Sequence, residues 1–336
     1  MAEIIQARDL RGERRERLID VVPLPAPWTI FIDTGDPCNY KCEFCPTGHP
    51  DLLKQYGRKP TFMSYELFCK VVDDFKGFGK KAKRANLYKD GEPLLNKHFP
   101  DMVRYIRDAQ ITESIWVKTN GQLLGPELNS KLVDCGLDMI GVSVTGINSQ
   151  MFFDIAKVRV DYEKYRAGVL DLYQRSRGTN TKVSTKIADV GLTQEQKDKF
   201  IQDFGDRCDY IAIEGLHGWS TSEVFDFKLG TNQSFDGTPR QEKIACPLVL
   251  YMLAVNSNGD VSICNDDAFH LHKLGNVKDE SIMDIWHGEK LKAFRLMHLT
   301  GHKHENAACK NCDYMQALPD NIDANREEFV ERIRNG

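Results

Sequence analysis

The sequence predicts an α/β protein: a mostly parallel sheet, curved or partly closed, followed by a small module made of a hairpin and a helix. Three observations lead there. Six apolar, strand-like runs alternate with amphipathic helical patterns across residues 28–215, which implies parallel neighbours joined by right-handed crossovers. A cysteine trio opens that stretch and a cysteine quartet lies beyond it. Polar side chains stand at the predicted carboxyl ends of the strands, where α/β folds bind their ligands. Periodicity alone leaves an open doubly wound sheet as the alternative to a partial barrel.

A charged leader, residues 1–27, runs into a buried strand at 28–33, and the cysteine loop begins right after it. The helix at 64–75 starts at a capping Ser64 and carries Leu67, Phe68 and Val71 on one face. A strand at 84–88 and a helix at 98–109 follow, the latter with Met102, Val103 and Ile106 at helical spacing. Strands at 114–119, 139–144, 182–187 and 210–213 are then interleaved with helices at 126–135, 162–176 and 193–204. Over 216–244 the composition shifts to Gly, Ser, Thr, Asp and Asn, the signature of a long irregular linker. In the module at 245–318, the run from Tyr251 to Cys264 reads as a hairpin turned at Asn258-Gly259, and the run from Leu274 to Trp286 as a turn entering a helix. A helix closes the chain at 319–336.

With 336 residues, 41% of them hydrophobic, the chain can bury the core of one large domain and a small one. A formal net charge of -4 gives no basic footprint, which argues against nucleic acid as a partner. The N-terminus has no apolar signal core and no run is long enough to span a bilayer, so no membrane partner is expected. A reducing cytoplasm is the expected compartment. Ten cysteines are too sparse for a disulfide scaffold.

The trio Cys38, Cys42 and Cys45 lies in Asp-Pro-Cys-Asn-Tyr-Lys-Cys-Glu-Phe-Cys-Pro. Three thiolates hold three irons of a [4Fe-4S] cluster and leave the fourth open for another ligand; a small zinc site completed by His49 is the alternative. The quartet Cys246, Cys264, Cys309 and Cys312 closes a metal site completely, as zinc or as a second cluster.

The Cys-x-x-x-Cys-x-x-Cys spacing, with Phe44 before the last cysteine, resembles the radical S-adenosylmethionine (SAM) enzymes. The resemblance implies a partial (β/α)6 barrel over residues 28–215 and SAM chelating the open iron. Gly91-Glu92-Pro93 resembles the family's Gly-Gly-Glu motif, which receives the methionine ammonium, although Asp90 stands where many members have glycine. By position, Asn120, Ser143 and Lys186 are then expected at the ribose and carboxylate of SAM, and Phe44 and Ile213 at the adenine. The Cys-Pro before the hairpin, the cysteine at its exit, the Leu-Gly-Asn-Val and Ile-Trp segment and the final Cys-Lys-Asn-Cys resemble the twitch module, the short form of the SPASM extension. That likeness implies one auxiliary [4Fe-4S] cluster beside the SAM-binding one.

Such enzymes use a 5′-deoxyadenosyl radical to take a hydrogen atom from an unactivated carbon, and a fully ligated second cluster suits removal of an electron from the substrate radical. The resemblance is to the twitch-bearing dehydrogenases, such as those of 2-deoxy-scyllo-inosamine, and implies oxidation of a secondary alcohol in a sugar, cyclitol or nucleotide-sugar. A flavodoxin- or ferredoxin-type electron donor goes with it. Only 37 residues precede Cys38, which disfavours a peptide-maturing enzyme with a leader-binding domain. A base near the target carbon is expected among Glu214, His217, Lys89 and Asp90. Epimerisation ranks second because it needs a thiol donor: Cys69 and Cys135 read as buried apolar thiols, and Cys208 lies near a strand's start. A non-catalytic iron-sulfur or zinc protein would have no need of Gly91-Glu92-Pro93. His298, His302 and His304 read as a solvated helix end and loop.

Overall fold

The structure is a computed structural model that describes residues 3–4, 16–216 and 239–336. The elements run β1 (Glu3–Ile4), α1 (Leu18–Val21), β2 (Thr29–Ile32), α2 (Pro50–Gln55), α3 (Tyr65–Lys76), β3 (Arg84–Asn86), α4 (Phe99–Ala109), β4 (Ile115–Thr119), α5 (Pro126–Asp134) and β5 (Met139–Val144). They continue with α6 (Ser149–Ala156), α7 (Tyr162–Ser176), β6 (Lys182–Asp189), α8 (Gln194–Phe204) and β7 (Tyr210–Gly215). The C-terminal module holds β8 (Met252–Val255), β9 (Asp260–Ser262), β10 (Gly275–Asn276), α9 (Ile282–His287), α10 (Glu289–Leu299) and α11 (Arg326–Asn335).

All the strands join one sheet in the order β1-β7-β6-β5-β4-β3-β2-β8-β9-β10. Strands β2 to β7 are parallel neighbours in chain order, as helical crossovers dictate. The sheet stays open and does not close into a barrel. It also continues into the C-terminal module, because β8 lies parallel to β2 with Thr29 opposite Met252 and Ile32 opposite Val255. Antiparallel β9 and β10 extend that edge. The twitch-like module is thus a hairpin and helices on the same open sheet. At the far edge, leader residues Glu3–Ile4 pair parallel with β7.

Side-chain alternation explains the layering. In β4, Ile115, Val117 and Thr119 are buried toward the helices, whereas Trp116 and Lys118 are half-buried on the other face. Helix α3 starts where expected, with Ser64 Oγ accepting the Leu67 N–H at 3.2 Å. Its buried face, Phe68, Val71, Val72 and Phe75, joins one core that runs from Leu18 to Ile333 and includes module residues such as Val261, Ile285 and Trp286. Trp286 donates to Leu24 O at 3.0 Å, fastening the module to the leader. A second, smaller core sets Phe31 of β2 against Leu248, Met252, Ala254, Met315 and Leu318.

The hairpin turns at Asn258-Gly259, where Gly259 takes φ +92°. Most of the expected 216–244 linker, 217–238 and with it His217, lies outside the described residues. Helices α2 and α6 were not expected; each is short and packs on the cysteine loop. Two expectations about single side chains are corrected. His298 is inside α10 and only 1% exposed, because Phe294 and the loop carrying His272 cover it. Cys69 is half-buried rather than buried, since it lies at the margin of the face that α3 turns to the core. Lys89 and Asp90 are locked in a buried ion network, described below. Among the described residues no helix is long and apolar enough to cross a membrane.

Candidate active site

The first cysteine loop leaves the carboxyl end of β2 and is folded back by backbone bonds. Lys41 N–H donates to Ala156 O at 2.9 Å and Glu43 N–H to Ile155 O at 3.1 Å, so the end of α6 grips the loop. Cys45 N–H donates to Cys42 O at 3.1 Å and Tyr40 N–H approaches Cys38 Sγ at 3.4 Å. Gly48 packs so closely that a Cβ there would overlap Cys42 O and lie 2.9 Å from Cys42 N. Phe44 within the loop is half-buried.

Burial pushes the Cys38 thiol up to about 12, and it also raises Cys42 and Cys45, with the neighbouring thiols adding to the effect on Cys38 and Cys42. Three thiols that burial keeps protonated need a cation to ionise, and a coordinating metal deprotonates a thiol outright. The loop therefore fits an iron-sulfur cluster.

Gly91 and Glu92 lie against this loop. Glu92 N–H donates to Pro37 O at 3.0 Å, and a Cβ on Gly91 would come within 2.6 Å of the same oxygen. The Glu92 carboxylate is 2% exposed and accepts three bonds: Leu94 N–H at 3.0 Å, Thr119 Oγ1 at 2.7 Å and Asn120 N–H at 2.6 Å. A carboxylate offers about four acceptor sites, so most of this one is spent on joining the ends of β3 and β4. Burial pushes its pKa up to about 7 against those donors. Pro93 is buried and opens a short helical turn behind it. Asn120 reaches Asn39 Oδ1 at 2.7 Å, and its Nδ2 lies 3.9 Å from Cys38 Sγ.

On the open face of the sheet, Lys118, Ser143, Ser184, Lys186 and Glu214 line a shallow cavity. Lys186 Nζ pairs with Glu214 Oε2 at 2.7 Å. Burial lowers the Lys186 pKa, and Glu214 opposes that. Lys118 Nζ sits 5.6 Å from the centre of the Tyr88 ring. Three of the expected residues, Ser143, Lys186 and Glu214, are thus brought together, while half-buried Ile213 packs on the core beside Glu214.

Lys89 and Asp90 stand elsewhere. Asp90 Oδ2 meets Lys89 Nζ at 2.5 Å, His270 Nε2 at 2.8 Å and Arg58 Nη2 at 3.6 Å; Arg58 also pairs with Asp36. Lys89 Nζ reaches Asp267 O at 3.2 Å, so the network stitches the barrel to the module. Burial alone would raise the Asp90 pKa, yet Lys89 and Arg58 hold it well below the usual carboxylate range. A carboxylate held that low is a poor general base. Nearby Asp33, 1% exposed and overlooked in the sequence because it ends an apolar run, is pushed up to about 8 by burial and then by Asp90.

Cys246, Cys264, Cys309 and Cys312 line a second cavity, with Asp267, His272, Phe294 and His298 in its wall. Hairpin β8–β9 delivers Cys264; the turn after α10 delivers Cys309 and Cys312, with Cys312 N–H donating to Cys309 O at 3.1 Å. Lys303 Nζ caps that turn at Cys309 O, 3.3 Å, and Cys312 O, 3.2 Å. Burial raises all four thiols, Cys246 to about 11 and Cys312 to about 12. Among the described residues no three His, Cys, Asp or Glu side chains converge on a single-ion site. Four thiols set around a cavity fit a cluster better than a tetrahedral zinc ion.

A cysteine trio on the loop after β2 and a cysteine quartet around a cavity in the C-terminal module are the two ligand sets of an iron-sulfur protein. The chain belongs to the Radical SAM superfamily, whose sequence pattern matches residues 32–204, and the pattern of SPASM, an iron-sulfur cluster-binding domain, matches residues 246–313. Its cofactors are accordingly SAM with a [4Fe-4S] cluster, and an auxiliary iron-sulfur cluster. A tungsten-containing aldehyde ferredoxin oxidoreductase cofactor-modifying protein of Pyrococcus furiosus is 21% identical over 320 residues, 80% of this chain and 83% of that protein. A GTP 3′,8-cyclase of Vibrio atlanticus is 33% identical over 125 residues, 37% of this chain and 35% of the cyclase, so that likeness spans about a third of the enzyme. Among solved structures, BtrN in complex with AdoMet and 2-DOIA has the same fold, with a TM-score of 0.56, 18% identity and coverage of 85% of this chain and 92% of that one.

Proposed function

We propose that this radical SAM enzyme is an oxidoreductase that converts a secondary alcohol of a sugar, cyclitol or nucleotide-sugar into a ketone. The observation that carries the reading is the second cavity: four half-buried cysteines ring it. Thiolates from all four leave no iron open for substrate, which favours an electron acceptor over a substrate-binding centre. When bound, SAM and its cluster supply hydrogen-atom abstraction, and the auxiliary cluster supplies a one-electron sink.

In this reading Cys38, Cys42 and Cys45 hold the first cluster, and Cys246, Cys264, Cys309 and Cys312 hold the second. Gly91, Glu92 and Pro93 shape the methionine end of the SAM pocket, Asn120, Ser143 and Lys186 its ribose and carboxylate side, and Phe44 and Ile213 its adenine side. Glu214 takes the hydroxyl proton at its carboxylate, and Lys186, 2.7 Å away, stabilises it as the anion that can do so. Oxidation balances as one hydrogen atom to the abstracting cofactor, one proton to Glu214 and one electron to the sink. A flavodoxin- or ferredoxin-type protein delivers the electron that starts each turnover.

Epimerisation needs a thiol at the substrate, and Cys135 and Cys208 are buried, the latter bonded to Thr185 Oγ1 and Phe204 O at 3.2 Å each. Neither they nor Cys69 is among the residues lining the two cavities. The test is incubation of anaerobically reconstituted protein with SAM, dithionite and a panel of cyclitols, sugars and nucleotide-sugars. Release of 5′-deoxyadenosine with a product two hydrogens lighter supports the reading; release with a product of unchanged mass overturns oxidation.

A further inference from the structure

Two imidazoles in the wall of the cysteine-ringed cavity have buried nitrogens with no partner among the described residues. His298 of α10 is 1% exposed, and neither its Nδ1 nor its Nε2 has a hydrogen-bond partner. His272 is different and more informative. Asn306 Oδ1 accepts the Ala308 N–H at 3.0 Å, which turns the Asn306 amide nitrogen toward His272 Nδ1 at 3.2 Å. That nitrogen must then accept, so the proton of the neutral ring sits on Nε2. His272 Nε2 is buried and unpartnered as well.

The two rings grip one side chain: His272 stacks on Phe294 at 3.8 Å between centroids, and Phe294 meets His298 edge-on at 4.7 Å. All three line the cavity with Cys246, Cys264, Cys309 and Cys312. A buried N–H left without an acceptor is costly, and two such donors on the wall of one cavity indicate an acceptor inside it. Burial keeps both rings neutral, with pKa values pushed down to about 4 for His272 and about 3 for His298.

We propose that His272 and His298 donate N–H···S hydrogen bonds to the auxiliary cluster and thereby raise its reduction potential. Such bonds stabilise the more negative, reduced state, and hydrogen bonding to sulfur is one of the levers that sets cluster potentials. The Lys303 ammonium, held on Cys309 O and Cys312 O, acts in the same direction. The two histidines tune the electron sink and touch no substrate. The proposal rests on the quartet holding a cluster, and not on the identity of the alcohol.

The full-length chain with Cys38, Cys42 and Cys45 all changed to Ala isolates the auxiliary cluster for a redox titration followed by electron paramagnetic resonance. In that background His298→Leu should leave the iron content unchanged and make reduction at least tenfold less favourable, a fall of 59 mV for a one-electron couple. His298→Gln, which keeps an N–H donor, should recover most of it. An unchanged potential in the iron-replete Leu variant overturns the proposal for His298. In the unsubstituted protein labelled with ¹⁵N-histidine, the reduced cluster should show histidine nitrogen coupling, a readout that does not depend on a variant folding. Its absence removes both donors. Absence of iron from the Cys38/Cys42/Cys45 variant overturns the cluster assignment itself, a result distinct from a cluster that lacks the coupling.

Discussion

Glu92 Oε2 accepts the backbone N–H of Asn120 at 2.6 Å, and through that bond the loop after β3 holds the loop after β4 beside Cys38. The residue that resembles a SAM ligand is therefore also the latch that forms the pocket. Its burial has a pH consequence in the cluster-free protein. The Glu92 carboxyl sits at about 7 in the fold against an ordinary 4.5, so the stability it contributes is fully present below pH 4.5 and is lost as pH rises through about 7. The loss is about 3 kcal/mol in all. Melting temperatures across this window should fall with pH for the native chain and show a flatter slope for Glu92→Gln. Parallel curves would contradict the assignment.

Gly91 has no room for a methyl group. With a Cβ directed within 2.6 Å of Pro37 O and Asp36 C, Gly91→Ala must push the Gly-Glu-Pro turn away from the cysteine loop. SAM affinity, measured by calorimetry on the reconstituted protein, is expected to drop at least tenfold. Gly125→Ala is the control: nothing lies within 4 Å of its Cβ and its φ is -175°, so binding should hold.

Asp90 and Glu214 are both candidates for the base, and their surroundings make different predictions for the two. Asp90 is buried among Lys89, Arg58 and His270, so Asp90→Asn strands buried cations and should cost about 3–5 kcal/mol in chemical denaturation. Glu214 is a quarter exposed in a cavity. Glu214→Gln should leave stability within about 1 kcal/mol and slow alcohol oxidation on the order of 100-fold or more. A stable, inactive Asp90→Asn beside an active Glu214→Gln would reverse the roles.

What the sequence reveals follows the range of the forces involved. The strands are legible because Ile115, Val117 and their equivalents alternate locally, and the cluster cysteines because iron ligation imposes short spacing. Burial produced at a distance is not legible. His298, next to Thr300 and Gly301, looks like a solvated helix end, yet Phe294 and a loop 26 residues earlier bury it. Lys89 and Asp90 look like site residues because they adjoin Gly91, and no local pattern shows that Asp90 pairs with Arg58 and the distant His270. The continuous sheet depends on β8 pairing with β2 across more than 200 residues, which no local pattern encodes.

Two clusters in one chain are tested most directly by iron and zinc content from elemental analysis. Anaerobically reconstituted protein should hold about eight irons and no stoichiometric zinc, and about four irons when Cys246, Cys264, Cys309 and Cys312 are replaced by Ala. About four irons with one zinc that disappears in the quartet variant would contradict it, because the second site would then have no electron to accept.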